Sequence, residues 1–348
     1  LKPSEHTPRI GALLGDIFGQ HLPPDVVQIV QGDGRQGAAM VDVEPDSVFF
    51  TGSVETGKKV AMKAAENGIG SSMELGGKDA AVVLPDADLE RAAAGITWAA
   101  FGFSGQNCAA IERCFVHESV YQTFLERVIE RTRALRPLQD LGPLVTEAQL
   151  HTVQRHLRLA VEAGARIETG GSAPGPGFFH EPTVVTQVTP EMEIFREETF
   201  GPVLPIVPYS DLGETIDQVN SSPYGLTNSI WTRDLALGEA LASAFECGVV
   251  TVNNHSFTGA LPDGAWTGVK SSGTGVTNSR FALYAMVRPR TIVVDRMKGD
   301  REMWWYPYNE ALNRVAKGMI KLASSGESSL DGVKSALSGL SKRWKEDK

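Results

Sequence analysis

Cysteine is scarce in this 348-residue chain: Cys108, Cys114 and Cys247 are the whole supply. They form an odd set with no Cys-x-x-Cys spacing, which argues against a disulfide framework or a cysteine-held metal and fits a reducing, cytoplasmic setting. Long apolar runs are missing too, and none approaches the roughly 20 residues needed to span a bilayer. Positive charge is in deficit, with 33 Lys and Arg against 42 Asp and Glu giving −9, so the surface as a whole should repel phosphate backbones and no nucleic-acid partner is expected. The chain also has no initiating Met and no signal-peptide pattern. It opens Leu1-Lys2-Pro3-Ser4-Glu5, which reads as an N-terminally truncated piece of a longer protein.

What is present is an ordinary soluble composition, 42% hydrophobic and 22% charged, with length for about two domains at ~100–200 residues each. Thr7-Pro8 starts a helix carried on by Ile10, Leu13, Leu14 and Ile17. Strands are expected at Val26–Val30 and Ser47–Phe50, each followed by a glycine-containing turn, and a helix at Val60–Ala65. A strand ending at Leu75 and another over Ala80–Leu84 flank Gly76-Gly77-Lys78, a plausible boundary. Beyond it, helices are expected near 89–100, 120–135, 146–163, 215–221 and 235–244, and strands near 114–116, 203–207 and 248–252. This alternation predicts an α/β fold with a parallel sheet covered by helices.

From Met297 the composition changes. Residues 297–348 carry ten basic against seven acidic residues, a balance of +3, whereas the remainder stands at −12. Leu312, Val315, Met319 and Leu322 form one helical stripe, Leu330, Val333, Leu337 and Leu340 another, and Trp304-Trp305-Tyr306-Pro307-Tyr308 precedes both. A helical hairpin packed on the body or on a dimer partner is expected, with membrane-surface contact the lesser alternative.

Gly32-Asp33-Gly34-Arg35-Gln36-Gly37 matches the GxGxxG dinucleotide fingerprint, yet the acidic residue that should follow about twenty positions on is missing from Ser47-Val48-Phe49-Phe50-Thr51. A turn with only a packing role suits it equally. The next turn, Phe50-Thr51-Gly52-Ser53, places backbone donors and a hydroxyl at a helix start that suits a phosphate. Cys108 ends the polar loop Gly105-Gln106-Asn107-Cys108, whereas Cys114 and Cys247 sit in apolar runs and read as packing. Glu74 lies on an otherwise apolar strand, where desolvation would raise its pKa into the range of a general base near neutrality.

Taken together and in order, Lys2-Pro3-Ser4-Glu5, Phe50-Thr51-Gly52-Ser53 with Gly57, Glu74-Leu75-Gly76-Gly77-Lys78, Gly105-Gln106-Asn107-Cys108 and Glu197-Glu198-Thr199-Phe200-Gly201-Pro202 resemble the signatures of the aldehyde dehydrogenase superfamily. The resemblance covers about Leu1 to Asp295 and leaves the tail without a recognised counterpart. It implies that Cys108 is the nucleophile that forms a thiohemiacetal and then a thioester, and that Glu74 activates the hydrolytic water. It implies cofactor contacts from Lys2, Glu5, Gly52, Ser53, Leu75, Glu198 and Phe200. Glu5, a carboxylate toward the ribose hydroxyls, favours NAD over NADP. The same resemblance gives Gly32–Gly37 no phosphate role.

Pro262–Gly273 is similar to a substrate-side stretch of the family, with Thr267-Gly268 in place of its glycine pair, and Arg290–Asp295 is similar to its subunit-pairing strand. The implied organisation is the C-terminal half of an NAD-binding domain over 1–76, a catalytic domain over 77–280, an oligomerisation strand segment over 281–296 and a helical extension over 297–348. A homo-dimer or homo-tetramer acting on a small aldehyde follows. The competing reading is a non-catalytic remnant serving as a binding or assembly module. A cysteine hydrolase is the third, and none of the seven histidines lies in a motif suited to partner Cys108.

Overall fold

The computed structural model describes residues 1–348 except 175–176, 297, 299–301, 303, 307, 325–329 and 344–348. It divides into two compact units, Leu1–Arg288 and Pro289–Lys348.

The first unit opens with α1 (Pro8–His21) and α2 (Gly34–Asp42), followed by β1 (Ser47–Thr51), α3 (Val54–Glu66) and β2 (Gly70–Glu74). Then come β3 (Asp79–Val83), α4 (Leu89–Phe101), β4 (Ile111–His117), α5 (Glu118–Ala134), α6 (Glu147–Glu162), β5 (Arg166–Thr169) and β6 (Thr183–Thr186). The unit continues through α7 (Glu193–Arg196), β7 (Val203–Tyr209), α8 (Leu212–Asn220), β8 (Tyr224–Gly225), β9 (Thr227–Trp231), α9 (Leu235–Ala242) and β10 (Val249–Val252). It closes with β11 (Val269–Lys270), β12 (Gly273–Thr274) and α10 (Ser279–Ala285). Short polar residues start the helices in the usual way: Asp88, Asp211 and Asp234 accept hydrogen bonds from the first free amides of α4, α8 and α9, and Thr146 does so for α6.

The large sheet runs β10-β9-β3-β4-β7-β6-β5, parallel throughout except for the β5–β6 pair. Its central strands are buried on both faces, and the polar residues they carry, Asp79, Glu112, Arg113 and Asn228 among them, are buried with the apolar ones. Alternate residues feed opposite layers. Val82 and Phe115 join Val153, Leu157 and Ile194 on one side, while Ala81, Val83, Cys114 and Val116 join Ile96, Phe124 and Val128 on the other. In that second layer, Gly95 of α4 lets the Trp231 ring lie against the helix, since a Cβ there would sit 2.4 Å from the indole.

A smaller sheet holds β1 and β2 in parallel, with β12 returning antiparallel onto β2 and pairing Gly273 with Glu74. Thus β2 ends in one sheet at Glu74 and β3 begins the other at Asp79, with the Gly76-Gly77-Lys78 turn between them. The strand expected at Val26–Val30 does not form. There Val26 N–H donates to the Pro23 carbonyl, Val30 N–H to the Leu1 carbonyl and the Leu1 amino group to the Gln28 carbonyl, and these contacts make no ladder.

In the second unit, α11 (Glu310–Ser324) and α12 (Leu330–Arg343) form the expected hairpin on part of the expected stripes, with Val315 buried and Leu312, Leu322 and Leu340 half-buried. Met319 and Leu337 are 55% and 59% exposed. Small residues share the seam. A Cβ on Gly318 would meet the Ala336 amide nitrogen at 2.6 Å, and one on Gly339 would meet the Val315 side chain at 2.5 Å and the Ala311 carbonyl oxygen at 2.8 Å, so the backbones touch beside Val315 while Met319 and Leu337 stay outside. Met297 and Pro307 lie outside the described residues, as does the side chain of Leu330. Residues 290–295 form no strand within the single chain, and Ile292, Val293 and Val294 are exposed.

Replacing Gly318 by leucine is expected to force the two helices apart. Amide hydrogen exchange across 310–324 and 332–342 should accelerate at least about tenfold, with β3, β4 and β9 unchanged; wild-type exchange in the hairpin would refute the glycine seam.

Candidate active site

Cys108 follows α4 through a tight turn, Gly102–Gly105, in which Phe103, Ser104 and Gly105 all take positive φ (53°, 58° and 71°). Such a run is costly for side-chain-bearing residues and persists only where neighbours hold it. Here they do: the Ser104 hydroxyl donates to the Gly142 carbonyl at 2.7 Å, and the Gln106 side-chain carbonyl accepts the Val145 N–H at 2.9 Å. Gly105 lies so near Gly201 that a Cβ would meet the Gly201 carbonyl oxygen at 2.1 Å. The half-buried Cys108 packs with Ala109, Leu226, Trp266 and Val249, its Sγ 3.8 Å from Asn107 Oδ1. Burial pushes its thiol up to about 12, helped by the nearby carboxylates of Asp79, Glu198 and Glu74, so the resting group is the thiol.

Glu74 ends β2, 8% exposed. Burial raises its carboxyl to about 7 against the opposing effect of Trp266 and Thr277, and Oε1 has no hydrogen-bond partner among the described residues. Leu75 is buried next to it, its N–H donating to the Ser272 carbonyl at 2.9 Å. The two glycines that follow are dictated by crowding. A Cβ on Gly76 would sit 2.3 Å from Glu198 Oε2, and one on Gly77 would sit 2.5 Å from the Cys108 carbonyl oxygen.

Glu198 accepts the Gly77 N–H at 2.9 Å, and burial with the neighbouring Glu112 raises it to about 7. Behind it lies a network that the sequence analysis did not single out. Glu112 takes the Lys78 ammonium at 2.5 Å and the backbone N–H groups of Thr199 and Phe200 at 2.7 and 2.8 Å. Arg113 donates twice to the Lys78 carbonyl, at 3.0 and 2.7 Å. Asp79, buried at the start of β3, accepts the Thr227 N–H, and desolvation holds it well above the usual carboxylate range. Its neighbour His255, lowered to about 3 by burial, stays neutral and points Nε2 at the Ala109 carbonyl at 3.1 Å, not at the thiol. The Cys/His hydrolase arrangement therefore lacks its contact. Lys78 lay inside a quoted motif, but Glu112, Asp79 and His255 carried no local signal, being single polar residues in apolar strands or loops.

On the other side of β2, Gly52 N–H donates to the Glu74 carbonyl at 3.1 Å, which ties the phosphate-type turn to the same strand end. Ser53 starts α3, its Oγ accepting the Thr56 N–H at 3.3 Å, and is exposed. Lys2 and Glu5 pair at 3.4 Å, with the Lys2 stem 3.5 Å from where a Cβ on Gly37 would stand. The Gly32–Gly37 turn is satisfied internally: Asp33 caps Arg35 N–H, and Gln36 returns its side-chain oxygen to Asp33 N–H at 3.0 Å.

The structure thus brings Glu74, Leu75, Cys108, Glu198 and Phe200 together around the Gly76-Gly77 turn, with Gly52 and Ser53 one strand away and Lys2–Glu5 beside α2. As a donor set these fit a dinucleotide: carboxylates for ribose hydroxyls, and a hydroxyl with a helix N-terminus for a pyrophosphate. Among the described residues no His, Cys, Asp or Glu cluster suits a metal, and no helix is long and apolar enough to cross a membrane.

Gly105→Ala should lower stability by about 2–5 kcal/mol, because it adds both a positive-φ penalty and a backbone collision. Chemical denaturation measures this, and a change below about 0.5 kcal/mol would contradict the close approach.

The sequence pattern of the aldehyde dehydrogenase family matches residues 1–292. The chain is 37% identical over 341 residues to the 4,4'-diapolycopene aldehyde oxidase of a Methylomonas species, an alignment that takes in 95% of the chain and 63% of that protein. Being longer than the family match, it reaches into the tail, which therefore has a counterpart. Among solved structures, aldehyde dehydrogenase PutA from Anabaena variabilis superposes with a TM-score of 0.83 at 33% identity, covering 88% of this chain and 67% of that one. An NAD+ complex of the aldehyde dehydrogenase from Bacillus cereus gives 0.79 at 34%, covering 82% and 60%. The chain spans a little under two thirds of the length of the curated relatives it matches. On its matched sequence and its shared fold, the chain belongs to the aldehyde dehydrogenase family.

Proposed function

We propose that the protein containing this chain oxidises an aldehyde to a carboxylic acid with NAD as hydride acceptor. The observation that carries this is the convergence of one half-buried thiol, Cys108, with the buried carboxylate Glu74 raised to about 7. Attack of the Cys108 sulfur on the aldehyde carbonyl forms a C–S bond and a thiohemiacetal, the thiol proton passing to a nearby base. NAD, when bound, supplies the acceptor for the hydride that leaves that carbon. Cys108 then holds the acyl group as a thioester. Glu74, ionised, takes a proton from water as the water oxygen bonds to the acyl carbon, and the C–S bond breaks to release the acid and restore the thiol. The Cys108 backbone N–H is suited to part of the oxyanion stabilisation.

For the cofactor, Lys2 and Glu5 suit the adenine ribose, Gly52 and Ser53 the pyrophosphate, Glu198 the second ribose, and Leu75 and Phe200 the nicotinamide ring. The carboxylate of Glu5 would repel a 2′-phosphate, which favours NAD over NADP. A cleft of about 700 Å³ lined by Trp98, Phe101, Phe103, Asn107, Leu141 and Ser256 adjoins the nucleophile loop and suits an apolar aldehyde. The Methylomonas relative is named for an aldehyde, 4,4'-diapolycopene aldehyde. Homo-oligomerisation through 290–295 and a cytoplasmic location belong to the same proposal.

NADH formation with a panel of aldehydes tests it. Cys108→Ala should abolish turnover, whereas Glu74→Gln should slow acid release by about 10²–10⁴-fold while still allowing a single burst of NADH. No turnover by the whole protein on any aldehyde would sink the proposal.

The pH dependence follows from the raised carboxyl. Glu74 is a base only when ionised, so acid release should rise with pH through about 7. Glu198 is raised to a similar value, and the Glu74→Gln variant separates the two: a rising limb that survives in it would assign the titration elsewhere.

A further inference from the structure

We propose that Glu112 is a positioning residue for the cofactor segment, its carboxylate clamping Thr199 and Phe200 so that Glu198 and Phe200 are aimed at the nicotinamide half of the dinucleotide. This deepens the cofactor assignment above and rests on it.

The argument begins with what faces the carboxylate. Glu112 lies on β4, 3% exposed, and every partner it meets is a donor: the Lys78 ammonium and the Thr199 N–H on Oε2, and the Phe200 N–H on Oε1. Only an acceptor-only side chain satisfies three donors. A glutamine in the same place would turn its NH2 toward one of them, and a serine would reach fewer. Two consecutive backbone amides converging on one side chain also require an unusual backbone, and Phe200 supplies it with φ of 47°. A phenylalanine holds that conformation at a cost of roughly 1–3 kcal/mol unless its surroundings fix it.

The surroundings fix the segment from every side. Gln149 Nε2 donates to the carbonyls of both Thr199 and Phe200, at 2.7 and 3.0 Å. The Thr199 hydroxyl sits 3.3 Å from Lys78 Nζ and 3.2 Å from His156 Nδ1. Glu198 points the other way and takes the Gly77 N–H, which brings its carboxylate onto the turn that follows Glu74 and packs against the Cys108 carbonyl. Glu112 and Glu198 thus hold opposite sides of one short segment, one through the main chain and one through the side chain. Without Glu112, the two amides and Lys78 are left buried without an anion, and the left-handed residue loses what stabilises it.

A carboxylate that merely filled a hole could be exchanged for an apolar pair at little cost in stability, since a buried ion pair often gains nothing over well-packed hydrocarbon. A positioning role predicts that the exchange preserves the fold and damages cofactor binding. Glu112→Gln and the charge-free double variant Lys78→Met/Glu112→Leu distinguish the two. In the full chain without cofactor, amide exchange at Thr199 and Phe200 should rise at least about tenfold in both variants, with β4 and β7 protected as in wild type. NAD titrated by fluorescence should bind about tenfold or more weakly to both, including the double variant if its unfolding midpoint matches wild type.

Unchanged exchange at 199 and 200 in Glu112→Gln would overturn the clamp. Normal NAD affinity in a stable double variant would reduce the pair to a structural role and overturn the proposal. If wild type itself binds no NAD, the cofactor assignment fails by that measurement. The exchange result then decides separately whether Glu112 holds the segment.

Discussion

The architecture of the site depends on backbone meeting backbone with nothing in between. Gly77 lies under the Cys108 carbonyl and Gly105 under the Gly201 carbonyl, each closer than any side chain permits, and Gly76 lies under the Glu198 carboxylate. Three segments far apart in sequence, ending at 77, 108 and 201, are thereby pressed into one knot at the edge where β2 leaves the small sheet and β3 enters the large one. Gly273, with φ of 140° and a would-be Cβ 2.0 Å from the Met73 carbonyl, adds the fourth segment from the other side of β2. Placement of Cys108 near Glu74 is therefore a consequence of main-chain packing and does not require the two side chains to attract each other.

Electrostatics in that knot works by exclusion of water. Glu74, Glu198 and Asp79 are all buried carboxylates, and each is pushed above its ordinary value chiefly by desolvation. Burial, with their field added to it, keeps the Cys108 thiol protonated at rest. Lys78 and Arg113 offset Glu198 and Asp79 only in part, their hydrogen bonds going to Glu112 and to the Lys78 carbonyl. What remains near the thiol is a set of groups able to accept protons near neutrality, the condition that general-base chemistry needs.

How much of this was legible in the sequence follows the range of the interactions. The helices, and strands β3, β4, β7 and β10, were readable because apolar periodicity and caps such as Asp88 and Asp234 are local, whereas β6 and the polar-rich β9 were not expected. The glycine-bearing motifs were readable because close approach leaves a residue type no other can replace. Val26–Val30 misled because an apolar run specifies extension but not a partner, and its hydrogen bonds go to Leu1 and Pro23, neither in a strand. The hairpin stripes were half right. Leucine spacing marks an apolar face and Val315 is buried on it, whereas Gly318 and Gly339 choose a closer contact that leaves Met319 and Leu337 outside. Glu112 was invisible because its meaning lies in donors from residues 78, 199 and 200, and no spacing rule connects them.

The GxGxxG turn shows why position must be judged by what satisfies the backbone. A glycine loop that binds phosphate needs amide donors left free at the helix start. In Gly32–Gly37 the Asp33–Gln36 capping box takes the Arg35 and Asp33 amides, and Gly32, at a φ of 145°, leaves room for the Gln36 side chain that a Cβ would strike. At Ser53 the cap is a single weak acceptor on Thr56 N–H, and the turn before it has no side chain at Gly52. The two loops look alike as strings and differ in whether their own residues have already used the donors. Of the two, the Ser53 turn is the one tied to the site, its Gly52 N–H donating to the carbonyl of Glu74 at the strand end.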